Sequence, residues 1–282
     1  MDSITRYVEI SKRGKVVARV ENQFVRRDVE RREDGSVNND RMLHLDGALN
    51  ARDLGGYLTN EGRTTRWGRL FRSDTVSALS ARDLELLRDR GIVSVIDLRT
   101  PSEIAYTGRG PLEHSSVALI ETESAQAQRS TSSSDETHAD SSLDDVYWRY
   151  VTLGSDNFVR AIRVLAQPET YPALVSCFFG KDRTGVLVGL VLSCLGVQRD
   201  LIIDDYARSA APMANIVERL RLDPVYRDTL DQTPDWRLAA PPATMATLLA
   251  RLDERYGDAR SWARSVGVSA DELEQLSDAL LD

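Results

Sequence analysis

Apolar and polar residues alternate near the start of the chain, in the stretches 7–10 and 16–25. The segment Lys12-Arg13-Gly14-Lys15 between them is suited to a turn. Alternation on both sides of a turn is typical of a β-hairpin. Residues 26–42 are charged and polar and are predicted to be a linker. We therefore expect residues 1–42 to form an N-terminal β-hairpin extension and linker ahead of a main domain, residues 43–282.

Two short apolar runs, residues 92–96 and 173–175, predict buried β-strands. Helical spacing of apolar residues follows Ser80 and recurs over residues 147–166 and 184–195. The order strand, helix, strand, loop, helix favours an α/β fold, in which a central and mostly parallel sheet is flanked by helices.

The remaining segments are less regular. Residues 43–73 contain several glycines and predict loops with short strands. Residues 121–145 are rich in serine and nearly lack large apolar side chains, which predicts a mobile loop or disorder. Residues 199–282 predict helices, with a proline-rich break at 234–242.

Composition limits the possible partners and compartments. The net charge of −8 and the pI of about 5.1 argue against nucleic acid and anionic membranes as partners. The longest apolar stretch, residues 186–197, is too short to span a bilayer, and the first residues lack the apolar core of a signal peptide. Two cysteines do not form a disulfide framework. We therefore expect a cytoplasmic protein with no stable membrane anchor, while the oligomeric state stays open.

Residues 176–185, with the sequence SCFFGKDRTG, carry the clearest chemistry. Cys177 precedes Arg183 by six positions, the C-x5-R spacing of a phosphate-binding loop with its own nucleophile. The spacing alone is weak evidence because arginine is frequent in this chain. The surrounding loop strengthens the evidence at Cys177, whereas the same position after Cys194 is Asp200 and not an arginine.

The loop offers what phosphoryl transfer requires. Successive backbone N–H groups and a helix N-terminus can bind an anion. Gly180 allows the loop to turn, Gly185 allows close packing of the first helical turn, and the planar fork of Arg183 can hold two phosphate oxygens.

In the corresponding mechanism, the Cys177 thiolate attacks phosphorus and water hydrolyses the phosphocysteine. The Thr184 hydroxyl can support the departing sulfur. Asp182 is the nearest candidate to protonate the leaving oxygen and then activate the water, although it could instead only hold the loop in place. The scheme needs no metal or cofactor, and no cluster with metal-ligand spacing is evident in the sequence.

This loop resembles that of the tyrosine-phosphatase-like family of bacterial and fungal cysteine phosphatases, which reads His-Cys-x-x-Gly-Lys-Asp-Arg-Thr-Gly. Other segments are similar to further family motifs and occur in the same order. They are residues 50–56 (NARDLGG), Phe71-Arg72-Ser73, residues 95–99 (VIDLR) with Glu103, and the C-terminal region around Arg255-Tyr256-Gly257 and Leu273. The resemblance covers roughly residues 43–282.

The resemblance implies a cysteine-phosphatase fold with Cys177 as the nucleophile and Arg183 as the phosphate clamp. It also implies that Asp182 acts as the acid, in place of an aspartate on a separate loop. Lys181 would favour highly charged substrates. A helical lid over the site, at about residues 200–240, is a further implication.

One position departs from the family pattern. Ser176 replaces a histidine that helps to organise the loop, so we expect a less readily ionised thiol and slower turnover. Phe178 and Phe179 are bulkier than usual and predict a more apolar pocket. Together with Gly180, Lys181, Thr184 and Gly185, they are predicted to bind the substrate.

Arg52 and Asp53 have two interpretations. They either form a structural ion pair or line the mouth of the site and bind substrate.

Two substrate classes remain open for a cysteine-dependent phosphomonoester hydrolase. One is phosphotyrosine or another phosphorylated residue of a protein, together with phosphoinositides. The other is a small phosphorylated metabolite such as a sugar or nucleoside phosphate. A third interpretation, from another class of protein, is a phosphate-binding pseudophosphatase whose activity was lost with the change at Ser176.

Overall fold

A central β-sheet positions the predicted loop. In the described part of the chain its strands are β1 (Arg52–Asp53), β2 (Leu70–Ser73), β3 (Ser94–Asp97), β4 (Ala118–Glu121) and β5 (Ala173–Ser176). They lie in the order β1-β2-β5-β3-β4. β1 is antiparallel to β2, and the remaining neighbours are parallel. The predicted mostly parallel sheet is therefore confirmed.

The computed structural model describes residues 41–122, 142–222, 227 and 230–282. All of them belong to one unit, Arg41–Asp282. The predicted N-terminal hairpin and most of the serine-rich stretch lie outside the described residues.

Helices account for most of the remaining described chain. They are α1 (Ala81–Asp89), α2 (Pro101–Thr107), α3 (Leu143–Thr152), α4 (Ser155–Leu165), α5 (Asp182–Cys194), α6 (Arg199–Ala207), α7 (Met213–Arg221), α8 (Asp235–Leu238), α9 (Pro242–Tyr256), α10 (Ala259–Ser265) and α11 (Ala270–Leu280). Short 3₁₀ helices occur at Gly110–His114, Pro168–Thr170 and Arg208–Ala210.

Several helices begin at side chains that cap their free N–H groups. The Ser80 hydroxyl accepts a hydrogen bond from the N–H of Asp83, and the Asp83 carboxylate accepts one from the N–H of Ser80. Thr100 and Glu103 form the same reciprocal arrangement at the start of α2. Such capping boxes satisfy backbone donors that have no partner within the helix. The predicted helix after Ser80 is therefore confirmed.

Strand β5 lies at the centre of the sheet, and all four of its residues are buried. Leu174 packs into an apolar cluster on one face, and Val175 packs into a larger cluster on the other face. Helices cover both faces, which explains why the strand is a continuous apolar run without alternation.

The structure contains helices in two predicted segments, residues 147–166 and the lid. The predicted helix over residues 147–166 is two helices, α3 and α4, because the chain leaves helical geometry at Gly154. The segment predicted to form a lid is helical over α6 and α7. None of the helices in the described ranges combines the length and the apolar character needed to cross a membrane.

Candidate active site

The predicted loop joins the end of β5 to the start of α5, so Cys177 directly follows the central strand. The carboxyl ends of the parallel strands β2, β3 and β5 meet at this edge of the sheet. In open α/β sheets, ligands bind at this edge. The loop is therefore surrounded by segments that follow three neighbouring strands.

Gly180 is required for the path of the loop. Its backbone has a φ angle of +65°, a conformation that residues with a Cβ atom rarely adopt. A Cβ atom here would lie 2.5 Å from the backbone of Ser73 and Asp74 at the end of β2. The predicted role of Gly180 in turning the loop thus agrees with its surroundings.

The carbonyl groups of the loop are held from outside. The N–H of Thr75 donates to the Phe178 carbonyl at 3.1 Å. The Gly180 carbonyl accepts from Arg72 at 2.7 Å and from the Asn50 amide at 3.1 Å. These hydrogen bonds fix the path of a loop whose backbone N–H groups are predicted to bind an anion.

A buried ionic cluster lies behind the loop. Asp205 on α6 accepts hydrogen bonds from Arg52 at 2.8 Å and from Arg72 at 2.5 Å, and also from the Tyr57 hydroxyl at 2.9 Å. Both arginines are fully buried. Burial by itself would raise the pKa of Asp205, but the charges of Arg52 and Arg72 outweigh it and hold the pKa well below its usual range. The cluster therefore carries two positive charges against one negative charge.

The structure corrects the interpretation of Arg52 and Asp53 as an ion pair. Arg52 bonds to Asp205, whereas the Asp53 carboxylate accepts from the backbone N–H groups of Gly55 and Gly68, both at 2.8 Å. Neither side chain is among those that line the cavity beside the loop. Arg52 lies behind the loop because Asp205, far away in sequence, supplies its partner.

Arg183 is oriented by Glu103 on α2. Its two terminal nitrogens each donate to one Glu103 carboxylate oxygen at 2.6 Å, and one of them also donates to the Leu98 carbonyl at 3.0 Å. Burial would raise the pKa of Glu103, but the hydrogen bonds and the charge of Arg183 lower it. A bidentate pair of this kind fixes the plane of the guanidinium.

Arg183 also lies near Cys177, the predicted nucleophile. Burial lowers the pKa of the guanidinium, but Glu103 and then the charge of Cys177 raise it, and the net effect is upward. Cys177 itself is 1% exposed at the base of the loop. The structure therefore brings the predicted nucleophile and the predicted phosphate clamp together.

Asp182, at the start of α5, is held by two donors. Its Oδ1 accepts from Lys181 Nζ at 2.6 Å and from the Tyr147 hydroxyl at 2.8 Å. Lys181 is completely buried, whereas the Asp182 side chain is 21% exposed. The lysine that sequence similarity assigned to substrate binding therefore pairs with the predicted acid.

Two hydroxyls in the segment 176–185 make no hydrogen bond within the described residues. They belong to Ser176 and Thr184, and both are fully buried. Ser176 thus does not replace the hydrogen bonding that a histidine would provide at this position. The contact of the Thr184 hydroxyl with the sulfur stays a prediction.

A cavity of about 310 Å³ adjoins the loop. Its lining is largely apolar and comprises Glu103, Leu143, Val146, Tyr150, Phe178, Phe179, Asp182, Leu230, Thr233, Arg237 and Leu238. Burial raises the pKa of Tyr150, and the charges of Arg183, Asp182 and Cys177 act on it as well. Tyr150 therefore links the cavity lining to the surroundings of Arg183 and Cys177.

The two phenylalanines of the loop pack beneath the predicted lid. Phe178 belongs to an apolar cluster with residues of α7 and with Leu230, and Phe179 packs against that cluster. The two rings meet edge to face, with centroids 5.0 Å apart. The expectation of an apolar pocket at these positions agrees with this packing.

A second cavity, of about 680 Å³, lies at the far end of α5 and includes Cys194 in its lining. Burial raises the pKa of Cys194 to about 12. No group of three or more His, Cys, Asp or Glu side chains suited to a metal occurs among the described residues.

Sequence reasoning missed the roles of several residues that hold the site. Glu103 and Arg72 were recognised only as members of family motifs, and Asn50 likewise. Asp205 and Tyr147 gave no local signal. Their contacts join residues up to 153 positions apart, and such pairings are not apparent from the spacing along a single chain.

The chain matches a known protein family and several known proteins. The model of the tyrosine phosphatase family matches residues 43–282. The chain is 30% identical to the triple specificity protein phosphatase PtpB of Mycobacterium tuberculosis, over 85% of this chain and 99% of that protein. It is 27% identical to a tyrosine-protein phosphatase of Nostoc commune, over 73% of this chain and 71% of the other.

Among solved structures, the chain is similar to the core catalytic domain of the PP-IP phosphatase SIW14 from S. cerevisiae. The TM-score is 0.33 and the identity 16%, and the match covers 72% of this chain and 92% of the other.

Proposed function

We propose that this chain, which belongs to the tyrosine phosphatase family and is a cysteine-dependent phosphatase, acts on aryl phosphates, with protein phosphotyrosine as the natural form. The observation that carries the choice of substrate is the largely apolar cavity next to Cys177 and Asp182. An aromatic leaving group would gain free energy by burial there, whereas the hydroxyls of a sugar would lose hydrogen bonds to water.

The proposed first step is attack of the Cys177 thiolate on phosphorus. The S–P bond forms as the bond between phosphorus and the phenol oxygen breaks, and protonated Asp182 gives its proton to that oxygen. Arg183, oriented by Glu103, holds equatorial oxygens of the transferred group together with the amides of the loop.

In the second step, the Asp182 carboxylate takes a proton from water while the water oxygen attacks phosphorus. The S–P bond breaks and returns the thiolate, and inorganic phosphate leaves. The Thr184 hydroxyl would donate to the departing sulfur, and its lack of a partner within the described residues supports this role. Besides these residues, the two steps use only the phosphate ester and one water molecule.

We extend the proposal to the domain boundary and the compartment. Residues 43–282 would form the catalytic domain, and residues 1–42 an extension whose role stays open. The described structure contains Cys177 and Cys194 as free thiols. Since the mechanism needs a reduced Cys177, a reducing compartment such as the cytoplasm suits the activity.

The test is phosphate release from a panel of phosphotyrosine peptides, phosphoserine peptides, phosphoinositides and sugar phosphates. We expect kcat/KM on phosphotyrosine to exceed that on sugar phosphates by at least about tenfold. Cys177→Ser abolishes release, while Cys194→Ala, a matched change of the other buried thiol, retains it. Release concentrated on a sugar phosphate would contradict the substrate assignment, and no release that depends on Cys177 would contradict the enzyme itself.

A further inference from the structure

The hydroxyl of Tyr147 is the second group that holds Asp182, and the mechanism above does not use it. Tyr147 lies on α3 and is fully buried. Its hydroxyl donates to Asp182 Oδ1 at 2.8 Å and lies 2.9 Å from the hydroxyl of Tyr206 on α6. The rings of Tyr147 and Tyr206 meet edge to face at 5.9 Å. Two helices thus place one phenol against the predicted acid.

The two donors to Asp182 converge on the same oxygen. Lys181 and Tyr147 both bond to Oδ1, and no described residue donates to Oδ2. Asp182 also lines the cavity next to the loop. A proton on Oδ1 would face two groups that already donate to that atom, so Oδ2 is the oxygen suited to carry the transferable proton.

We propose that Tyr147 is a positioning residue for the reaction: by holding Oδ1 of Asp182, its hydroxyl directs Oδ2 toward the oxygen of the leaving group. This inference rests on the proposed function, because it assigns Asp182 the role of acid. It deepens that function by naming the group that determines which carboxylate oxygen transfers the proton.

The phenol suits this role because it keeps its own proton. Burial raises the pKa of Tyr147, and the nearby Asp182 and Tyr206 raise it further. Tyr147 therefore stays a neutral hydrogen-bond donor throughout the working pH range. Lys181 places a positive charge at the same carboxylate oxygen, whereas the neutral Tyr147 hydroxyl fixes the orientation of the carboxylate.

Other charged and titratable groups surround this network and belong in any account of its pH dependence. Lys181 and Cys177 lie in the loop, Arg183 on α5, Glu103 on α2, Tyr150 and Asp144 on α3, Tyr206 on α6, and Arg237 in the cavity lining. All of them are kept when only the Tyr147 hydroxyl is removed. A change in the pH profile of that variant then reports on this hydroxyl.

The experiment compares Tyr147→Phe with the native protein on two substrates. A phosphotyrosine peptide has a leaving group that needs a proton, whereas 4-nitrophenyl phosphate has one that leaves with little help. We expect kcat on phosphotyrosine to fall about tenfold or more and kcat on 4-nitrophenyl phosphate to fall much less. The limb of the kcat profile at high pH moves upward, because the variant lacks a donor that stabilises the Asp182 carboxylate.

Tyr171→Phe is the matched control. Tyr171 is also buried, and its hydroxyl donates to the Leu165 carbonyl at a distance from the loop. The Tyr171→Phe variant loses one hydrogen bond of a buried phenol and should leave the ratio of kcat on the two substrates unchanged. An equal fall on both substrates in Tyr147→Phe, or no fall on either, would overturn the inference while leaving the proposed function in place.

A readout independent of turnover separates the two claims. The carboxyl carbon of Asp182, assigned by its loss in Asp182→Asn, is followed by ¹³C NMR during a pH titration. We expect its midpoint to move upward in Tyr147→Phe. An unmoved midpoint in an active enzyme would overturn the inference alone, whereas a native protein inactive on both substrates would overturn the proposed function and the acid role on which the inference rests.

Discussion

Two arginine–carboxylate groups flank the phosphate loop, and they differ in burial. Asp205 with Arg52 and Arg72 lies behind the loop, where each side chain is at most 1% exposed. Glu103 with Arg183 lies at the front, with side chains 26% and 19% exposed. The rear group bonds to the backbone of the loop, and the front group orients the residue that would meet phosphate.

The difference shows how one type of interaction serves two purposes. A fully buried charge whose partner is removed leaves a large desolvation penalty, so the rear group chiefly affects folding. A partly exposed pair contributes less to folding, but its geometry controls the orientation of a functional fork. Stability and activity are therefore expected to respond separately to substitutions on the two sides.

The largest effect is expected at Asp205. Asp205→Asn keeps the shape of the side chain but leaves the buried guanidinium groups of Arg52 and Arg72 with too little negative charge. We expect the free energy of unfolding to fall by about 3–5 kcal/mol, measured by urea denaturation. Asp231→Asn, at an exposed pair with Arg221, is the control and should change stability by less than about 1 kcal/mol. Equal effects at the two sites would remove the distinction based on burial.

A smaller effect on stability but a larger one on rate is expected at Glu103. Glu103→Gln releases the Arg183 fork from its bidentate partner, and we expect kcat to fall by about 100-fold. Because Glu103 also takes part in the cap of α2, Thr100→Ala serves as the control that weakens the cap and keeps the ion pair. Comparable rate losses in both variants would mean that the helix cap, not the ion pair, supports activity.

The contribution of Glu103 to stability should depend on pH. Its pKa in the folded protein is below the ordinary value of 4.5, so the folded state favours the ionised form. The resulting stabilisation is complete above about pH 4.5 and is lost as the pH falls through the lower folded value. Urea denaturation should show a difference in the free energy of unfolding between native protein and Glu103→Gln at pH 7. This difference should be smaller at pH 3. A larger difference in the free energy of unfolding at pH 3 than at pH 7 would contradict the expected direction of this effect.

The smallest effect is expected at Ser176. Its buried hydroxyl has no partner among the described residues, so Ser176→Ala removes a polar group without breaking a hydrogen bond. We expect the free energy of unfolding to change by less than about 0.5 kcal/mol or to rise slightly, and kcat to stay unchanged. A marked loss of activity would show that this hydroxyl takes part in catalysis.

The sequence predicted the parts of the site that lie close together along the chain. Cys177, Asp182 and Arg183 fall within one strand–loop–helix unit, so their proximity follows from the fold of a short segment. The sheet was also predictable, because its buried strands are continuous apolar runs. The break between α3 and α4 at Gly154 was not, since the apolar spacing continues across it.

The supporting contacts could not be predicted in the same way. Arg52 was considered beside its neighbour Asp53, but burial and the path of α6 bring Asp205 to it from 153 positions away. Asp182 likewise accepts a hydrogen bond from Tyr147, which lies 35 positions away, on the same oxygen that Lys181 contacts. A single sequence shows which side chains are present but not which charges the fold brings together.

The most direct test of the central claim is to look for phosphocysteine. In Asp182→Asn, 4-nitrophenyl phosphate can still phosphorylate the thiol, while hydrolysis of the intermediate slows because the base is missing. We predict that rapid denaturation during turnover, followed by peptide mass spectrometry, finds one phosphoryl group on Cys177. Phosphate release with no such adduct in this variant, or an adduct on another residue, would contradict the account.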